Sequence, residues 1–186
     1  LASLRAMPNM LVLRPADAVE VNECWQIALT HQSGPVSLVC SRQALPAVRE
    51  AHTDDNLVSR GAYVLREGTQ GSRRVTLLAT GSEVAIALEA RATLESRGIS
   101  TAVVSMPSWE LFEQQEAAYR QLVLGPDTVR VGIEAAVRLG WDRYLGTDGG
   151  FVGMTGFGAS GPADTLYRHF GITAERVVSE ALQRLN

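Results

Sequence analysis

The chain has 186 residues, 46% of them hydrophobic and 20% charged, which is the make-up of a globular protein and excludes disordered and fibrous classes. That length suffices for one core, or for one domain plus part of another. The net charge is −3 and the basic residues are scattered rather than clustered, so neither nucleic acid nor an anionic membrane is expected as a partner.

No apolar run approaches the ~18 residues of a membrane span, and residues 1–25 lack a basic region followed by an apolar one. A soluble, cytoplasmic protein is the expectation. The two cysteines, Cys24 and Cys40, fall in no C-x-x-C or Cys/His cluster and are expected to be reduced and largely buried. The opening "LASLRAMPNM" carries a helical pattern already under way, as in a chain entered in mid-sequence.

In chain order, "MLVLRP" predicts a short strand closed by Pro15. "ADAVEVNECWQIALTH" predicts a helix, with Asp17 and Glu20 at capping-box spacing and Val19, Val21, Trp25, Ile27, Ala28 and Leu29 giving a mostly apolar surface. "VSLVC" returns as a continuous apolar strand, the pattern of a parallel strand covered on both faces. Residues 43–60 lose periodicity and read as a polar, mobile linker. A second α/β series follows: strands at "AYVLREG", "RRVTLLAT", "ISTAVVSMP" and "DTVRVGIE", and helices at "SEVAIALEARATLESRG", "SWELFEQQEAAYRQLVL", "ADTLYRHFG" and "TAERVVSEALQRLN". Alternation of this kind predicts an α/β fold: the end of one parallel-sheet domain over residues 1–45, a linker over 46–60, and a complete domain with a mostly parallel sheet over 61–186.

Candidate chemistry is sparse. Arg42 lies two residues beyond a strand, where loops of open α/β sheets gather ligands, and its planar fork of donors matches phosphate or carboxylate oxygens. A structural ion pair explains that position as readily. Gly81 and Ser82 occupy a strand-to-helix turn, read as a turn glycine and a helix cap rather than a nucleotide site, because the three-glycine dinucleotide fingerprint is absent. "LGTDGGFVGMTGFGASGP" reads as a compact irregular connection, with Ser160 and Pro162 opening the next helix. Its aromatic neighbours Trp141, Tyr144, Phe151 and Phe157 fit either a core or a subunit contact. His31, His52 and His169 have no metal-binding spacing, and the spacing of Asp17 and Glu20 is accounted for by capping.

The segments "LASLRAMPNM", "LRPADAVE", "GPVSLVCSRQALP", "RGAYVL", "ATGSEVAIALEA", "VVSMPSWELFEQQ" and "VGMTGFGASGPADTLYRHFGIT" together resemble the carboxyl-terminal portion of bacterial transketolases, in order and spacing along nearly the whole chain. The resemblance implies an enzyme of the pentose phosphate pathway that uses thiamine diphosphate and a divalent metal, Mg²⁺ or Ca²⁺, to move a two-carbon ketol unit from a ketose phosphate to an aldose phosphate. It implies sugar phosphates as partners, and a homodimer or association with an amino-terminal part. Residues 1–45 correspond to the tail of the pyrimidine-binding domain and 61–186 to the carboxyl-terminal domain. Arg42 matches the arginine of the family's "SRQ", which binds the substrate phosphate. No catalytic, cofactor or metal ligand is carried over, because the Gly-Asp-Gly motif, the activating glutamate and the active-site histidines have no counterpart in this sequence; alone, the chain is expected to be inactive and to bind no cofactor. Two readings stand beside this one: a non-catalytic α/β regulatory or assembly module, and the carboxyl-terminal subunit of a two-chain enzyme.

Overall fold

A computed structural model of the chain describes residues 1–185. The first unit is a short helix α1 (Ala2–Arg5), then β1 (Leu11–Leu13), α2 (Ala18–Thr30) and β2 (Val36–Leu38), with β1 and β2 paired in parallel. The rest comprises β3 (Tyr63–Arg66), β4 (Val75–Ala79), α3 (Glu83–Ser96), β5 (Thr101–Ser105), α4 (Trp109–Glu113), α5 (Ala117–Leu124), β6 (Val129–Val137), α6 (Asp142–Leu145), β7 (Gly150–Met154), α7 (Ala163–His169) and α8 (Ala174–Leu185).

Five strands form one sheet in the order β3-β5-β4-β6-β7, parallel except for β3, which runs antiparallel to β5. Period-two alternation sends neighbouring residues to opposite faces. Leu77, Val103 and Val131 face α3 and α8, where they meet Val84, Leu94 and Val177. Leu78 and Val104 face the other way, into an aromatic cluster of Trp109, Phe112, Trp141 and Tyr144. The aromatic residues on the approach to the glycine-rich stretch thus divide: Trp141 and Tyr144 are core, whereas Phe157 is fully exposed.

Five expectations are altered, the last of them in α2. The glycine-rich stretch is not wholly irregular, since Gly150–Met154 is an edge strand of the sheet. Glycine hid it because the site admits nothing larger: a Cβ at Gly153 would lie 2.6 Å from the Glu134 carbonyl oxygen. β2 is half-buried rather than covered on both faces, and its ladder ends at Leu38, with one further bond from Val39 N–H to the Leu13 carbonyl. Cys40, just beyond, is exposed, while Cys24 is buried. The segment after β2 is not loose: the Asp17 carboxylate accepts from the N–H groups of Val48 and Arg49 at 3.0 and 3.1 Å, Glu23 pairs with Arg49 at 2.7 Å, and Val58 is completely buried.

The helix α2 is turned opposite to its sequence pattern. Its acidic residues Glu20 and Glu23 are buried, whereas Trp25 and Leu29 are 51% and 78% exposed. The capping box forms, with Asp17 Oδ1 accepting from Glu20 N–H at 2.9 Å, but the Glu20 carboxylate reaches back to Ala16 N–H at 2.7 Å. Its other oxygen accepts from Tyr63 Oη at 2.7 Å and Ser105 Oγ at 2.5 Å, on the first two strands of the five-stranded sheet. Helix capping and docking of α2 on the sheet are therefore performed by one side chain.

Burial pushes the Glu20 carboxyl above its ordinary value of 4.5, against the opposing effect of donors from Ser105, Tyr63 and Ala16. A raised value means that the folded chain keeps a proton the unfolded chain has lost. The group's stabilising contribution is therefore complete below 4.5 and is lost as pH rises through the folded value. Glu20→Gln, neutral throughout, is expected to gain stability relative to the parent as pH rises from about 4 to about 8, measured by urea unfolding. A difference that stays constant with pH would show that the carboxyl titrates normally.

Candidate functional site

The carboxyl ends of β1, β4 and β6 converge, and each delivers a polar group. Arg14 follows β1 directly. Its Nη1 approaches Glu83 Oε2 at 2.5 Å and the Thr80 carbonyl oxygen, and it lies 3.9 Å from Glu134 Oε1. Arg5, on the last turn of α1, grips Glu134 with two bonds of 2.9 and 2.8 Å and stacks 3.8 Å from the Trp109 ring centroid. Trp141 Nε1–H donates to the same Glu134 carboxylate at 2.9 Å. Both carboxylates are 0% exposed. Burial by itself lowers the Arg14 pKa, but the charge and hydrogen bond of Glu83, with the charge of Glu134, outweigh it and raise the value above normal.

Local sequence builds this cluster. A register shift between Glu134 and Val137 marks a bulge in β6, beyond which Val137 still pairs with Met154 of β7. Gly81 has φ of +59°, and a Cβ there would lie 2.8 Å from the Arg14 guanidinium, so the turn residue is glycine both for its backbone and for that close approach. Ser82 makes no side-chain cap bond; its hydroxyl donates to Glu83 at 2.8 Å instead. Glu83, an acidic residue in the first turn of α3, is the partner of Arg14, of Tyr167 Oη at 2.6 Å and of Ala135 N–H at 3.0 Å. Burial, and then the Glu83 charge, push the Tyr167 phenol up to about 12.

Beside this cluster a groove of about 600 Å³ opens at the carboxyl ends of β6 and β7, walled by Ala135–Val137, Met154, the loop around Phe157, and Tyr167. Arg42 and Gln43 line it from the other side. Arg42 is exposed, no ion pair among the described residues involves it, and the groove lining contains no carboxylate or imidazole. Among the described residues, then, no ion pair accounts for Arg42. A lone guanidinium with unspent donors in such a groove suits an anion. The groove offers binding and orientation, with no nucleophile paired to a base. His52 and His169 are exposed, and among the described residues no group of three His, Cys, Asp or Glu side chains is arranged to hold a metal ion.

The model of the "Transketolase-like TK C-terminal domain" matches residues 61–173, and that of the "Transketolase, pyrimidine binding domain" matches residues 1–48. The chain belongs to the transketolase family. It is 60% identical to a transketolase of Sinorhizobium medicae over 186 residues, all of this chain and 26% of that protein. A solved transketolase complex with sedoheptulose 7-phosphate from Pichia stipitis is 33% identical with a TM-score of 0.88, covering 99% of this chain and 26% of the other. A split-gene transketolase, described as an inactive β4 tetramer, is 28% identical with a TM-score of 0.78; here all of this chain covers 60% of the other. The chain thus spans about a quarter of the length of the curated transketolases it matches.

Arg42, the one candidate site residue legible in the sequence, lines the groove. Missed were Arg5, Arg14, Glu134 and Tyr167. The available signal for Arg14 and Glu134 was the one that drew attention to Arg42, a charged residue at the carboxyl end of an apolar strand. The cluster has a measurable weight: Glu134→Ala leaves Arg5 and the Trp141 N–H without their acceptor. It is expected to cost about 3–5 kcal/mol of unfolding free energy by chemical denaturation.

Proposed function

We propose that this transketolase chain is the carboxyl-terminal part of an enzyme that transfers a two-carbon ketol unit between a ketose phosphate and an aldose phosphate in the pentose phosphate pathway, as a cytoplasmic homodimer. In this reading residues 1–45 are the tail of the pyrimidine-binding domain, 46–60 the connection and 61–186 the carboxyl-terminal domain. The observation that carries the substrate assignment is Arg42: exposed, without an ion pair among the described residues, in a groove lined by no carboxylate. The sugar phosphate named for the Pichia stipitis complex is consistent with such an anion.

Thiamine diphosphate and its divalent metal supply the carbanion chemistry in transketolases. The Gly-Asp-Gly motif and the activating glutamate of the family have no counterpart in this sequence, so we assign the cofactor site to the remaining part of the enzyme and the isolated chain to an inactive state. What this chain contributes is orientation. Arg42 holds the phosphate end of the sugar, and binding energy gained there fixes the reacting carbonyl at a distance. The two-stranded β1/β2 sheet supports a place within a larger domain, since two strands rarely suffice for a stable sheet. A two-chain enzyme, with this sequence as its carboxyl-terminal subunit, is the second reading, and the likeness to a split-gene transketolase fits it.

Arg42→Ala in the complete enzyme is expected to lower kcat/KM for phosphorylated sugars about ten- to a hundredfold, the loss of a charge-assisted hydrogen bond. Unphosphorylated substrates are expected to be nearly unaffected. An equal loss for both classes in steady-state kinetics would remove Arg42 from the phosphate site.

A further inference from the structure

Two walls of the Arg42 groove rest on one buried carboxylate. Ala135 donates its N–H to Glu83 Oε2 at 3.0 Å and Tyr167 Oη lies 2.6 Å from Glu83 Oε1, and both Ala135 and Tyr167 line the groove. Directly behind stands Arg14, 2.5 Å from Glu83 Oε2 and 3.9 Å from Glu134 Oε1, while Arg5 holds Glu134 from the far side. Two carboxylates with no exposure therefore back a groove whose lining has one guanidinium, and the buried Arg14 and partly buried Arg5 balance them. In an interior where charge is poorly screened, an unbalanced carboxylate at that depth would oppose any anion entering the groove. Arg14 also continues β1, the strand paired with β2, and β2 runs on to Arg42. The same side chain thus fixes the strand pair that carries the anion ligand onto the wall that faces it.

We propose that Arg14, Glu83 and Tyr167 are positioning residues for the anion groove: Tyr167 and Glu83 hold its wall, and Arg14 cancels the charge behind it, so that Arg42 acts as an unopposed cation. The proposal rests on the reading of Arg42 as a phosphate ligand. It differs from a purely structural role in sign. Removing either member of the Arg14–Glu83 pair breaks the same contact, yet loss of Arg14 leaves a negative charge behind the groove and loss of Glu83 leaves a positive one.

The test is titration of the complete enzyme with inorganic phosphate, read as competitive inhibition against a phosphorylated sugar, with thermal unfolding recorded for each variant. The parent is expected to be inhibited competitively, and Arg42→Ala to weaken that inhibition about ten- to a hundredfold. Arg14→Met is expected to weaken phosphate about tenfold, Tyr167→Phe about threefold, and Glu83→Gln to strengthen it about threefold. Should Arg14→Met fail to fold, the opposite signs of Glu83→Gln and Tyr167→Phe still decide. Weakening by both, in step with their melting temperatures, would reduce the cluster to a structural one and overturn the proposal. A parent that binds phosphate through Arg42 while Glu83→Gln and Tyr167→Phe leave its affinity unchanged overturns this inference alone. A parent that inorganic phosphate does not inhibit overturns the phosphate reading and this inference with it.

Discussion

Two carboxylates buried at the carboxyl ends of α/β strands, Glu83 and Glu134, cannot remain charged there without partners, and the partners come from another part of the chain. Arg14 and Arg5, in the first fourteen residues, reach across to them. Desolvation makes each ion expensive alone, whereas a bidentate pair with further donors from Trp141, Tyr167 and the Ala135 backbone offsets much of that cost. The result fixes geometry more than it adds stability. Residues 1–14 can dock on the five-stranded sheet in one orientation, because any slip leaves buried charge unpaired.

That orientation has consequences for everything attached to β1. The pairing of β1 with β2 carries Arg42 to the rim of the groove. Glu20 pins α2 to Tyr63 and Ser105, and Asp17 and Glu23 draw the segment after β2 back along the same helix. Acidic residues that look like the solvated side of α2 are thereby spent inward, and Trp25 and Leu29 are left facing outward. An apolar helix face turned to solvent is unusual for a complete domain, and it accords with a chain that covers a quarter of its single-chain relatives.

The five-stranded sheet was largely legible because its signals are local. Val75–Ala79 and Thr101–Ser105 are continuous apolar or β-branched runs buried on both faces, and α3 and α8 repeat their apolar residues at helical spacing. β7 was not legible, since a strand pressed against its neighbour's backbone is written in glycine, and glycine reads as a turn. Ser82 and Glu83 had a sufficient local explanation as cap and first-turn charge. Nothing in their immediate neighbourhood indicated that Arg14, 69 positions earlier for Glu83, would claim the carboxylate. Arg42 was legible as a candidate, but the choice between an ion pair and a ligand depended on which carboxylates lie near it in space.

The sequence by itself determined the α/β alternation, the family resemblance and the placing of a cation just past a strand, because periodicity and motif order depend on residues close together in the chain. Only the tertiary structure decided that Arg42 stands in a groove lined by no carboxylate, that α2 buries its charges, and that Arg5, Arg14 and Tyr167 gather on the two buried carboxylates Glu83 and Glu134. The reason is physical. A charge is assigned its role by the partner that desolvation forces on it, and that partner is chosen by packing between distant segments rather than by neighbours in sequence.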